Sequence, residues 1–78
     1  MILSELPAFA PAQVVDVLDT VSVDHISRRL RELGFVKGEP VKVVGRGAFG
    51  GDPLLVQIGF TRFALRRSEA ARIEVEQI

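Results

Sequence analysis

The chain has 78 residues, 47% of them hydrophobic and 26% charged, with ten Lys and Arg against ten Asp and Glu and no cysteine. A chain this short buries only about 60% of the surface that its unfolded form exposes, which leaves one thin core and excludes a second domain, so residues 1–78 are read as a single domain. The lack of cysteine excludes disulfides and thiolate metal sites, and zero net charge excludes a general attraction to nucleic acid or anionic lipid.

Charge is nevertheless uneven along the chain. Residues 1–27 carry Glu5, Asp16, Asp19 and Asp24 but no Lys or Arg, whereas bases gather at Arg28, Arg29 and Arg31 and again at Arg62, Arg66 and Arg67. The opening MILSELPAFAPAQ has neither the positive start nor the continuous apolar run of a signal peptide. No window approaches the roughly 18 uninterrupted apolar residues of a membrane span. The sequence reads as cytoplasmic, without direct membrane insertion.

Pro7 and Pro11 bracket a loop, after which AQVVDVLD is rich in β-branched residues and predicts a strand over Ala12 to Asp19. In SVDHISRRLRELGF, Ile26, Leu30 and Leu33 recur at i, i+4 and i+7, which predicts a helix with those residues on its buried side. Ser22 or Asp24 is expected to cap its start and Gly34 its end. Gly38 and Pro40 mark a turn before a second strand that begins at Val41 to Val44. PLLVQI and TRFALR both alternate, and Gly59-Phe60 joins them as a tight hairpin. Ser68 is expected to cap a short helical turn through Glu69-Ala70-Ala71, and Ile73 to Glu76 to form a last strand. About five short strands with one α-helix between the first and second predict a mainly β fold, a small antiparallel barrel, since closure is how so few residues hide their sheet edges.

Gly45, Gly47 and Gly50 spell G-x-G-x-x-G after a predicted strand, the pattern of a dinucleotide-binding turn. That turn works only where the glycines open onto a helix whose N-terminus faces a pyrophosphate. Here Asp52-Pro53 and an alternating strand follow, so Gly45 to Asp52 is expected to be a long, mobile loop in which glycine is favoured for its access to positive φ.

Other chemistry is equally absent. The single His25 lacks the three or four convergent donors that a metal site needs and is read as a surface residue of the first helical turn. Six Ser and Thr hydroxyls share that one histidine, so no nucleophile–base pair is expected. Catalytic, metal and cofactor sites are therefore expected to be none. Phe49 is read as a plug folded back on the barrel rather than an anchor for a partner. Phe60 is either tucked under the helix or displayed for docking, since a hairpin tip rarely takes a bulky apolar residue. Arg62 and Arg66 share a strand side with Arg67 following, and are read either as contacts for phosphates or an acidic protein surface or as a solvated wall facing Glu74 and Glu76 across the sheet, in pairs of little energetic weight.

Taken together, Arg29-Leu30, Glu32-Leu33-Gly34-Phe35, Gly38, Val41, Val43, Gly51-Asp52-Pro53, Val56, Ala64-Leu65-Arg66, Ala70, Ile73 and Val75 resemble the FeoA family of ferrous iron transport proteins in order and spacing. The resemblance spans nearly the whole chain. It implies an SH3-like β-barrel carrying a helix, and a small cytosolic accessory protein that works with FeoB, the membrane ferrous iron transporter with a cytosolic GTP-binding domain, and is recruited by it to the inner face of the membrane. It carries over no catalytic motif or ligand set, so iron belongs to the partner. Similar domains end the iron-dependent and manganese-dependent repressors, which makes a regulatory domain binding a peptide or nucleic acid the alternative. For docking on the transporter, Arg28 and Arg31 are expected to meet acidic groups while Phe35 or Phe60 fills a pocket.

Overall fold

Period-two alternation in the second half of the chain organises the sheet. The computed structural model describes residues 1–20 and 22–78. Its strands are β1 (Ala12–Val17), β2 (Pro40–Gly47), β3 (Gly51–Ile58), β4 (Thr61–Leu65) and β5 (Ile73–Gln77), with helices α1 (His25–Leu33) and α2 (Arg67–Ala70). Leu54, Val56 and Ile58 of β3 are buried, while Leu55 faces outward. Their partners across the β3–β4 hairpin are Leu65, Phe63 and Thr61; Leu65 and Phe63 turn inward with them, while Thr61, next to the turn, is exposed. Gly59, at φ 56°, and Phe60 close that hairpin as a two-residue turn.

The five strands form one antiparallel sheet in the order β4-β3-β2-β1-β5. β4 and β5 are its two ends and do not pair, so the closed barrel expected from the sequence is an open sheet around a shared core. One cluster of buried residues takes side chains from every strand, among them Val14, Val43, Val56, Leu65 and Ile73. A flat sheet could not gather them. Register shifts between Val14 and Asp16 and between Val43 and Gly45 supply the bends, as an extra residue on one strand tightens the local twist.

The glycine-rich stretch is mostly strand rather than loop. β2 continues through Gly47 and β3 begins at Gly51, leaving only Ala48-Phe49-Gly50 as the connection. Gly50 and Gly51 do adopt positive φ, at 65° and 85°. Gly47 serves a different purpose. A Cβ there would lie 2.3 Å from the Asp52 carbonyl oxygen, so the strands meet too closely for any side chain.

The N-terminus adds a feature that alternation did not reveal. Leu3–Glu5 forms a 3-10 turn that drives Leu3 and Leu6 fully into the core. Arg46 holds this turn on β2 by donating from Nη2 to the Leu6 carbonyl at 2.7 Å. Met1 and Ile2 then run beside β5, where the Val75 N–H donates to the Met1 carbonyl at 2.8 Å.

α1 is placed by its caps. The Asp24 carboxylate accepts from the Ile26 and Ser27 N–H groups, each at 3.1 Å, and from the Thr20 N–H at 3.0 Å. Arg72 Nε, just before β5, lies 3.2 Å from the same carboxylate, so one buried anion joins the loop, the helix and the last strand. Gly34 ends the helix at φ 115°. The buried side of α1 is shifted from that expected: Ile26 is partly exposed, whereas Ser27 is buried with its Oγ donating to the Leu18 carbonyl at 2.8 Å. α2 also starts two residues early. Ser68 lies inside it rather than capping it, because Glu69 reaches back to accept the Arg66 N–H at 2.8 Å. Glu69 also pairs with Arg29, tying α2 to α1.

Leu6→Ala should cost about 2–5 kcal/mol in urea unfolding, as a fully buried leucine leaves a cavity, whereas Phe60→Ala should change stability by less than about 0.5 kcal/mol. Hydrogen bonds from the Thr20 and Ser27 N–H groups hold the Asp24 carboxyl well below the usual carboxylate range. The folded state thus favours the anion, and its contribution is complete above the unfolded pKa of about 4 and fades as pH falls below it. Asp24→Asn should lower the Tm at neutral pH and lose part of the decline below about pH 4. An unchanged acid limb in the variant's melting curves would contradict this role.

Candidate interaction surface

Among the described residues, no three His, Cys, Asp or Glu side chains converge as metal ligands. His25 is exposed at the first position of α1. Among the described residues, no helix is long and apolar enough to cross a membrane.

The first region is the N-terminal half of α1. Arg28 and Arg31 lie beside a shallow depression that Asp19, Ser22, Val23 and Asp24 also line. The two arginines differ in what they are free to do. Arg31 donates to the Val17 carbonyl at 2.7 Å and pairs with Asp19 at 3.2 Å, so its guanidinium already fastens the helix to the end of β1. Arg28 is exposed, and its side chain has no hydrogen-bond or ion-pair partner among the described residues.

The second region is the outer face of the β3–β4 hairpin. Because opposed residues of an antiparallel pair share a face, Leu55 lies beside Ala64 and Gln57 beside Arg62. Arg62 Nε donates to Gln57 Oε1 at 3.2 Å. Gly45 of β2 sits opposite Leu55 without a side chain to cover it. A low apolar strip of Gly45, Leu55 and Ala64 therefore runs across three strands, with Arg62 to one side. At the far end, Phe49, Asp52, Pro53 and Arg66 line a second shallow depression. Phe60 is fully exposed at the near end.

The structure separates the residues expected to dock. Phe60 is displayed, so the alternative in which it tucks under the helix is discarded. Phe35 is fully buried and lies 6.3 Å from Phe63, ring centre to ring centre. It belongs to the core and is unavailable to fill a partner's pocket, because the αL turn at Gly34 that ends α1 directs the following residue inward. Phe49, expected as a plug, is instead 86% exposed, since the connection it occupies is too short to fold back. Arg62 and Arg66 do not face Glu74 and Glu76, as β4 and β5 stand at opposite ends of the sheet. The apolar strip was missed in the sequence although Leu55 occupies the outward phase of β3, the one signal that marked it.

Comparison with known proteins gives these surfaces a context. A family model described as the FeoA domain matches residues 1–77. FeoA of Stenotrophomonas maltophilia, solved in complex with zinc, is described as a unique prokaryotic SH3-domain protein and a candidate ferrous iron transport activating factor. It is 62% identical, with 97% of this chain and 89% of that chain covered and a TM-score of 0.90. FeoA of Chlorobium tepidum is 38% identical, with 100% of this chain and 70% of that chain covered and a TM-score of 0.83. A manganese-dependent transcriptional repressor shares the fold at 19% identity, with 100% of this chain and 41% of that chain covered and a TM-score of 0.83. No curated protein matches the chain in sequence. With the family model matching from the first residue to the penultimate one, the chain belongs to the FeoA family, which is associated with ferrous iron transport, and has that family's SH3-like fold.

Proposed function

We propose that the protein is a cytosolic accessory protein of bacterial ferrous iron uptake that acts by direct contact with the cytosolic part of a FeoB-type GTP-binding transporter. The observation that carries this reading is Phe60, fully exposed on a two-residue hairpin whose strands are anchored in the core. An aromatic ring on an ordered backbone has only two side-chain torsions to fix on docking and brings a large apolar area, which is what makes such residues dominant in interfaces. Arg28 supplies a guanidinium for an acidic group on the partner. Arg31 takes part through the rigidity that it gives the helix, since its own charge is engaged at Asp19. Iron and nucleotide chemistry remain with the transporter, and the accessory protein biases the transporter's conformation by binding one state better than another.

The second reading, a regulatory domain that binds nucleic acid, draws support from the basic residues Arg62, Arg66 and Arg67 near one hairpin. Salt separates the two readings, because phosphate contacts weaken steeply between low and moderate ionic strength.

An NMR titration of the labelled protein with the transporter's cytosolic part should shift Phe60 and Arg28, and Phe60→Ala should weaken binding by about tenfold or more without unfolding the protein. Wild-type affinity in Phe60→Ala, or no shifts at partner concentrations far above the physiological, would count against the docking reading.

A further inference from the structure

The two edges of the sheet are finished differently. At β5, the Val75 N–H donates to the Met1 carbonyl, the Met1 amino group donates back to the Val75 carbonyl at 3.2 Å, and Ile2 bridges Glu74. That edge is sealed by the chain's own N-terminal residues. At β4 nothing comparable occurs. The Gly59 N–H donates to the Pro40 carbonyl of β2, so odd-numbered residues at this end of β3 turn their main chain to β2, and Ile58, Val56 and Leu54 turn theirs to Thr61, Phe63 and Leu65. The N–H and C=O of Arg62 and Ala64 therefore point away from the sheet. No described residue takes them up.

We infer that the β4 edge receives, as a sixth strand, an extended segment of a partner protein in which acidic and apolar residues alternate. This rests on the reading that the protein works by docking, and it names the chemistry that would be recognised. Outward-facing side chains of the added strand would lie beside Arg62, and no Asp or Glu occurs from Gly59 through Arg67. Nearer Arg66, the carboxylates of Asp52 and Glu69 already accept the Arg67 and Arg66 N–H groups, so the acidic side chains of the partner are recognised at Arg62. Inward-facing side chains would cover Phe63, which is only partly buried although it packs against the core. A second copy of this chain fits less well, since pairing β4 with itself would bring the arginines of both copies together, the usual way an edge is protected from self-association.

The probe is a short capped peptide of alternating Glu and Val, added to labelled protein and followed by amide shifts and hydrogen exchange. Arg62 and Ala64 amides should shift and slow. N-methylating either all Val or all Glu nitrogens should abolish binding in one case and spare it in the other, because alternate N–H groups of a strand face opposite edges. Ala64→Pro removes an N–H that the sheet does not use, and proline is tolerated at such positions, so the variant should fold and bind at least about tenfold more weakly, with Ala64→Ser unchanged. Arg62→Glu should weaken binding by about fivefold. Equal binding of a Lys and Val peptide, equal binding of both methylated peptides, or peptide-independent protection of β4 that rises with protein concentration would overturn the inference. With the transporter's cytosolic part as titrant, full-strength binding by folded Ala64→Pro overturns the edge site and leaves the docking reading intact. Failure of that domain to bind the wild type, with the Glu and Val peptide still shifting Arg62 and Ala64, overturns the transporter reading and supports the edge.

Discussion

The structure depends on the two-residue period of the β3–β4 hairpin. A single phase sends Leu54, Val56, Ile58, Phe63 and Leu65 toward one core, and the same phase leaves Leu55, Gln57, Arg62 and Ala64 outside. A slip of one residue would exchange the two sets. The hairpin also fixes which main-chain groups are spent on neighbours and which face water. Core, outer face and open edge are thus three consequences of one register.

Because the sheet does not close, the core needs lids. Leu3 and Leu6 from the N-terminus, Leu30 from α1 and Phe35 just after it complete the burial that five short strands leave unfinished. Polar links hold these lids in place: Arg46 on the Leu6 carbonyl, Arg31 on the Val17 carbonyl, and the Asp24 carboxylate between α1 and Arg72. Arg31, one of the two arginines expected to dock, is therefore engaged in assembly. Phe60, Phe49, Arg28 and the β4 edge are among the groups that stay unengaged.

Much of this was legible in the sequence, and the failures have physical causes. The β3–β4 hairpin, the caps of α1 and the strand at β5 follow from alternation and capping chemistry, which act over a few residues. The family pattern was also recognisable, since its glycines and apolar positions keep their spacing. The 3-10 turn at Leu3–Glu5 was not, because a turn of this length has no periodicity to detect and only tertiary burial explains it. Gly47 was assigned to conformational freedom when the cause is the approach of Asp52. Phe35 was read as surface because the sequence shows that a helix ends at Gly34 but not where the chain turns next. The pairing of Arg62 with Glu74 failed for a related reason: strand order is a long-range property that local patterns do not encode.

The two edges of the sheet differ, one sealed by Met1 and Ile2 and the other open along β4. Residue-resolved amide hydrogen exchange on the free protein tests this difference most directly. Thr61, Phe63, Leu65 and Val75 amides should be protected, and those of Arg62 and Ala64 should exchange at nearly the rate of an unstructured chain. Slow exchange at Arg62 and Ala64 in dilute monomeric protein, or fast exchange at Val75, would contradict it.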